Sequence, residues 1–263
     1  MLLALMALVL LFFTVTKGSM LWQASVWKGM AVQFPEYGVI TLGVMFCFIS
    51  GHIDMSFVAL GDFATILAAN YMIAHVTENM SSGSVGGVLI AGILIALAVG
   101  AVGGVINGLL VSLLRIPPVM ATIAMQLVWQ GVSTALTKGY AVTGIPSLYM
   151  EIGHKNLFGF LPVPLLIFLV VFLVSAFVLK YTAFGEKLYM IGTNLKAARF
   201  SAINTTGMLV ATYVICGVLS CLGCLLMVST MGSAKADYGS SYLMRCILIL
   251  VLAGVLPDGG MGK

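Results

Sequence analysis

Charge is what this sequence has least of. Lysine, arginine, aspartate and glutamate together make up 8% of its 263 residues, where a soluble domain carries roughly 25%. No charged residue occurs from 79 to 114, 116 to 137, 156 to 179 or 200 to 234. Each run exceeds the ~20 residues that a helix needs to cross a bilayer core. A sizeable soluble domain is thereby excluded. Histidine is nearly as scarce, with three copies, and no cluster of His, Cys, Asp and Glu stands together as a membrane-embedded enzyme requires. No cofactor and no metal site are expected.

Nucleotide machinery is also missing. The tail "PDGGMGK" resembles a phosphate loop only superficially, because Pro257 stands where a glycine is needed and no hydroxyl follows Lys263. Any ATP hydrolysis must come from a partner. The five cysteines all lie in apolar stretches. Cys221 and Cys224 form a C-x-x-C with no histidine or carboxylate nearby, so they read as small buried hydrophobes.

What remains is 61% hydrophobic. The fold class is all-α: a polytopic membrane bundle of seven or eight spans, forming one transmembrane domain over 1–263. The first run, "MLLALMALVLLFFTVTKG", has neither a basic n-region nor an A-x-A site, and reads as a span rather than a signal peptide. It is short for a span, and the far end stops on a Gly-rich turn. Further residues are expected at one or both ends.

Orientation follows from the basic residues. Lys180, Lys187, Lys196 and Arg199 face a single Glu186 in the densest basic stretch, which the positive-inside rule makes cytoplasmic. The same rule accounts for the net charge of +4 without nucleic acid. Spans are expected at 86–114, 119–137, 164–181, 207–230 and 241–256, with a cytoplasmic loop at 182–206 and an external loop at 138–163. Two sequons, at Asn79 and Asn204, match the glycosylation triplet and are discounted as chance matches.

Small residues mark two helix faces. Gly92, Ala96, Gly100, Gly104 and Gly108 recur every fourth residue, as do Thr212, Cys216, Ser220 and Cys224. Lipid gives helices no hydrophobic reason to associate, so close backbone approach must supply the contact. Gly100, Gly104 and Gly108 are the expected packing seam.

The stretch "SGHIDMSF" at 50–57 interrupts an apolar run. Three readings stand: an ordinary cytoplasmic turn, a structural break in which Asp54 caps the next helix, or a lining of the translocation path by Asp54 or His52. Gly51 would let the helix break. Further on, Asn194 is an N-cap signal for a helix in "LKAARFSAI", with Lys196 and Arg199 on one face and Leu195, Ala198 and Ala202 on the other. Such a helix either lies on the headgroups or docks a soluble partner.

Five motifs in register resemble the permease subunits of bacterial ABC importers for ribose and related sugars. They are "GHIDMS" at 51–56, "NGLLV" at 107–111, "IPPVMAT" at 116–122, "YMIGTNLKAARFSAI" at 189–203, and "MGSA" at 231–234 with "GGMG" at 259–262. The resemblance covers nearly the whole chain. It implies a bacterial inner-membrane permease that works with an ABC ATPase subunit, an extracytoplasmic solute-binding protein, and a second permease subunit in a homo- or heterodimer, importing a sugar-like substrate. It also implies that the helix from Asn194 to Ile203 couples to the ATPase, with Ala197, Ala198 and Arg199 matching the family pattern. Tyr140, Tyr149, Glu151, His154 and Lys155 are either docking contacts for the binding protein or ordinary polar residues of a solvated loop. The chain departs from the pattern at His52, at Leu195-Lys196 in place of Pro-Glu, and at Met244-Arg245 in place of Leu-Asp. Family members also run some sixty residues further. The alternative is an ion-coupled secondary transporter using Asp54 at a broken helix.

Overall fold

The computed structural model describes residues 2–77, 80–157, 161–257 and 259–260. The Asn79 sequon and part of the "PDGGMGK" tail, Asp258 with the last three residues, lie outside them. Eleven helices account for most of the described residues. Helix α1 (Leu2–Lys17) leads through a 3-10 turn (Gly18–Trp22) into α2 (Ala24–Ile49), followed by α3 (Phe57–His75), α4 (Ser82–Ser112) and α5 (Pro118–Thr137). Helix α6 (Ser147–His154) lies between short strands β1 (Val142–Thr143) and β2 (Asn156–Leu157). Strand β3 (Leu161–Pro162) precedes α7 (Val163–Tyr181), α8 (Ala183–Thr193), α9 (Leu195–Phe200), α10 (Thr205–Met231), β4 (Ser233–Ala234) and α11 (Ser240–Leu252).

Helix boundaries fall where local chemistry puts them. Pro118 opens α5 and Pro164 sits at the start of α7, positions where a missing N–H costs nothing. Asn204 caps α10 by accepting from the Gly207 N–H at 3.0 Å, a structural use for the second sequon. Gly232 closes α10 in the left-handed conformation, at φ +68°. The observed α4, α5, α7, α10 and α11 lie within a few residues of the expected spans.

Among the described residues, six helices are long and apolar enough to cross a membrane: α2, α3, α4, α5, α7 and α10. They fit a polytopic helical membrane protein. The apolar helices α1 and α11 are shorter, at 16 and 13 residues, so six spans meet the length criterion where seven or eight were expected.

The core is built around α10, which packs against α4, α2 and α3. Buried residues occur on every side of it, as expected of a helix that is apolar all round. Helices α5 and α7 are different, with only 17% and 11% of their apolar windows buried, against 61–67% for α2, α3 and α10. Their outward Leu, Val and Phe side chains suit lipid.

Close packing depends on glycine. A Cβ added at Gly104 would meet the Tyr213 carbonyl oxygen at 2.5 Å and the Val214 Cα at 2.6 Å. One at Gly108 would meet the Val210 Cα at 2.7 Å, and one at Gly100 the Gly217 oxygen at 2.7 Å. The structure thus sets Gly100, Gly104 and Gly108 backbone to backbone against α10. The second small-residue row serves α2 and α3 as well, for Gly43 lies over Cys216 and Gly61 over Cys224.

At one end of the bundle β1 pairs antiparallel with β4, joining the 138–163 segment to the turn after α10. At the other end α8 meets the close of α2, and α9 packs on α8 and the start of α10. Between these ends lie the features that bear on function.

Candidate functional site

The break after α2 is built from its own sequence. Gly51 adopts φ +75°, and its N–H donates to the Phe48 carbonyl at 2.9 Å while the His52 N–H reaches back to the Cys47 carbonyl at 3.0 Å. This is a Schellman closure, and it needs a left-handed residue where Gly51 stands. His52 turns its Nδ1 to the Ser50 carbonyl at 2.8 Å. Burial lowers the His52 pKa, and the bond to Ser50 pulls it back up.

Asp54 then fastens the start of α3. Its Oδ1 accepts from both the Ser56 N–H and the Ser56 hydroxyl, each at 2.8 Å. Ser56 Oγ in turn accepts from Asn107 Nδ2 at 2.6 Å. The Asp54–Ser56–Asn107 chain ties the break to α4, and all three residues are buried. Burial pushes the Asp54 carboxyl above the usual carboxylate range, while hydrogen bonds from Ser56 and Asn107 oppose that shift. Asp54 is 1% exposed and lines none of the cavities found among the described residues.

Asp54 also lies beside two thiols. One Asp54 oxygen and the Sγ atoms of Cys47 and Cys216 fall within 4.8 Å of one another. Among the described residues this is the group whose donor set could hold a thiophilic metal. The carboxylate is already engaged by Ser56, however, and the thiols satisfy the packing of α2 on α10 without an ion. Cys221 and Cys224 are buried free cysteines.

The 182–206 segment sits against this break. Asn194 Oδ1 accepts from the Lys196 and Ala197 N–H groups, both at 3.0 Å, which supplies the N-cap that starts α9. Ala198 is buried with Ile191 and Leu209, and Leu195 and Ile203 pack beside them. Arg199 Nε donates to Thr205 Oγ1 at 3.3 Å, pinning α9 to the start of α10. The helix ends at Phe200, earlier than expected, because Ala202 takes φ +57° and lies exposed. Ile203 therefore lies past the helix, its N–H bonded back to the Ala198 carbonyl at 3.2 Å.

Two features here escape a sequence reading. Phe200 is 92% exposed, an aromatic ring standing free at the tip. Gly192, at the end of α8, touches the Ile49 carbonyl oxygen so closely that no Cβ fits, and the Gly260 N–H donates to that same oxygen at 2.9 Å. Gly259 stacks on Gly51 and on the Gly192 carbonyl, with contacts of 2.7 and 2.8 Å to a built Cβ. Gly192, Gly259 and Gly260 thus bring the end of α8 and the chain terminus into backbone contact with the helix break.

Two further acids are buried: Glu36, which the pattern of residues left unremarked, and Asp62, a carboxylate inside an apolar run. Glu36 is 2% exposed; its oxygens accept from Thr230 Oγ1 at 2.6 Å and Tyr242 Oη at 2.7 Å. Asp62 accepts from the Gly239 N–H at 3.0 Å and so holds the turn into α11. Their signal was a lone carboxylate in an apolar run, but their partners lie 177 to 206 residues away along the chain. In the 138–163 segment, Tyr149 is buried and donates to the Leu225 carbonyl at 2.8 Å. It is a packing residue rather than a docking surface. Tyr140, Glu151, His154 and Lys155 are exposed.

A six-span helical bundle with a broken helix, a glycine-built core and a capped surface helix at one end has the form of a membrane permease. The chain belongs to the family described as the branched-chain amino acid transport system / permease component, which matches residues 27–261. It is 31% identical over 227 residues to the ribose import permease protein RbsC of Bacillus subtilis, covering 86% of this chain and 67% of that protein. It is 30% identical to the autoinducer 2 import system permease protein LsrD of Yersinia enterocolitica, covering 86% of this chain and 66% of that protein. The LsrD of Yersinia pestis is 29% identical over 266 residues, covering 99% of this chain and 76% of that protein. The chain thus spans about two thirds of the length of the first of these relatives. No solved structure matches it.

Proposed function

We propose that the chain is the transmembrane permease subunit of an ATP-driven, binding-protein-dependent importer for a sugar or sugar-like solute in a bacterial inner membrane. Residues 1–263 act as one transmembrane domain. The 182–206 segment faces the cytoplasm and the 138–163 segment faces outward, where a solute-binding protein delivers its cargo. A second permease subunit, identical or related, completes the path, and no nucleic acid takes part.

One observation carries the coupling assignment: α9 is firmly seated on the bundle yet presents Phe200 outward, and α8 meets the α2 break through Gly192 and Ile49. An ATPase subunit that seats Phe200 gains a large apolar contact. A shift of α9 is transmitted to the α2 break through a junction with no compressible side chain. Differential contacts of this kind are what allow a partner to bias a two-state equilibrium. Arg199→Glu reverses the charge beside Phe200 and breaks the tie to Thr205. Co-purification from membranes should show ATPase association lowered by about tenfold or more, on the scale of a lost charge-assisted bond, with membrane insertion normal. Unchanged association removes the assignment.

A second reading, ion-coupled transport through Asp54, is favoured by a buried carboxylate at a helix break. Uptake measured after collapse of the proton gradient, with ATP maintained, separates the two. Uptake that persists excludes ion coupling.

A further inference from the structure

We propose that the cavity around Glu36, at the end of the bundle opposite α9, is a solute-binding chamber that takes a small polyhydroxylated molecule. The proposal rests on the importer reading for the direction of travel, but not for the binding chemistry.

The cavity holds about 610 Å³ and is walled by the outer half of α2, the close of α10, the start of α11, and His154, Asn156 and Pro162. That volume exceeds what a pentose occupies. Its floor is the Glu36 carboxylate. Thr230 and Tyr242 each donate one hydrogen bond to it, fixing both oxygens while each retains a further lone pair. Above the floor, Tyr37 and Tyr242 stack with ring centroids 4.1 Å apart and planes 14° from parallel. Arg245 lies over the Tyr37 ring, its guanidinium carbon 5.6 Å from the centroid, and donates to the Tyr37 hydroxyl. The stack holds the guanidinium and the carboxylate on the same wall.

This set has a definite chemical preference. A carboxylate accepts from hydroxyl groups, a guanidinium donates to their oxygens in a fixed fork, and an aromatic wall covers the C–H face of a ring. Adjacent hydroxyls on a small carbon skeleton satisfy all three together. An apolar solute would strip water from the exposed Arg245 guanidinium and offer it nothing in return, which is costly. A cationic solute would meet Lys28 and Arg245, both at the lining, against one carboxylate already engaged twice. The departure at position 245, where the resemblance predicts an acid, places the cation that the chamber needs.

The test uses the full chain in lipid nanodiscs with D-ribose as probe and putrescine as the cationic comparison. Saturation-transfer NMR should show ribose in contact with the protein, and Glu36→Gln and Tyr242→Phe should weaken that contact by about tenfold, as for a lost hydrogen bond to a charged group. Ribose contact that both variants leave unchanged, no contact at all, or putrescine contact equal to that of ribose would overturn the proposal. Because Glu36 is buried, its variant could fail to fold. A second measurement avoids this: Ser241 lines the cavity and is exposed, and all five native cysteines are buried. Ser241→Cys should react with a charged methanethiosulfonate, and ribose should slow that reaction while putrescine does not; equal rates with and without ribose sink the chamber. Neither readout involves an ATPase. Loss of ribose protection with ATPase association intact therefore removes the chamber and leaves the importer reading standing, and the opposite result does the reverse.

Discussion

A side-chain oxygen that accepts an N–H two residues on occurs twice at one end of this bundle, in opposite surroundings. At the α2 break, Asp54 accepts the N–H two residues on; at the start of α9, Asn194 accepts from the residues two and three on. Asp54 is sealed in the core and tied through Ser56 to Asn107 of α4. Asn194 is exposed, and α9 is held by one small apolar cluster and the Arg199–Thr205 bond. A buried cap fixes a helix to its neighbours, whereas an exposed cap only starts one. The fold thus ties its break into the core and seats its surface helix by fewer contacts, and the glycine contact between Gly192 and Ile49 joins the two.

The widest disruption should come from the seam that supports the buried cap. Gly104→Ala gains up to about 1 kcal/mol of helix propensity, but its Cβ would press on the Tyr213 carbonyl and the Val214 Cα. Neither is the end of a flexible side chain. Overpacking of this kind costs about 1–3 kcal/mol and occasionally more, and here it wins. It would also lift Asn107, one turn on, away from Ser56. Gly131 in α5 has open space around it, so Gly131→Ala should raise stability slightly. Thermal unfolding of the two variants in detergent, with opposite signs expected, tests whether space or propensity governs each helix.

Next in size is the buried cap. Asp54→Ala leaves the Ser56 N–H without its partner, and an orphaned buried donor costs about 1–3 kcal/mol. Asp54→Asn keeps an acceptor oxygen in place and should recover most of that loss. If the two variants unfold at the same temperature, the negative charge matters and the capping geometry does not, and the case for Asp54 as an ion-coupling group gains at the expense of its capping role.

What could be read beforehand divides along the range of the interactions. Helix positions follow from local apolarity and from Pro118, Asn204 and Gly232, all of which act within a few residues. The faces of α4 could be read because a four-residue glycine repeat is itself local. Glu36 and Asp62 could not, since their meaning comes from Thr230, Tyr242 and Gly239, which only the packing of α10 and α11 brings near. Phe200 was missed for another reason: in "LKAARFSAI" an aromatic residue reads as an inward anchor, and only the left-handed turn at Ala202 ends the helix early enough to leave it outside.

The smallest effect belongs to the exposed cap. Asn194→Ala removes both bonds to the first turn of α9, and losing an N-cap typically costs about 1 kcal/mol. In a helix of only six residues that loss falls on local opening, not on global unfolding, because α9 contributes little to the core. Hydrogen exchange at residues 196–201 should speed up several-fold, while exchange in α10 and the thermal midpoint stay the same; local and global openings are separable in this way. An ATPase partner that binds the ordered helix would pay that same penalty, so its affinity should fall by about fivefold, less than for Arg199→Glu. Equal slowing of exchange in α9 and α2 on partner binding would show that the Gly192–Ile49 junction carries the contact inward. Protection confined to α9 would mean that the surface helix and the break are independent after all.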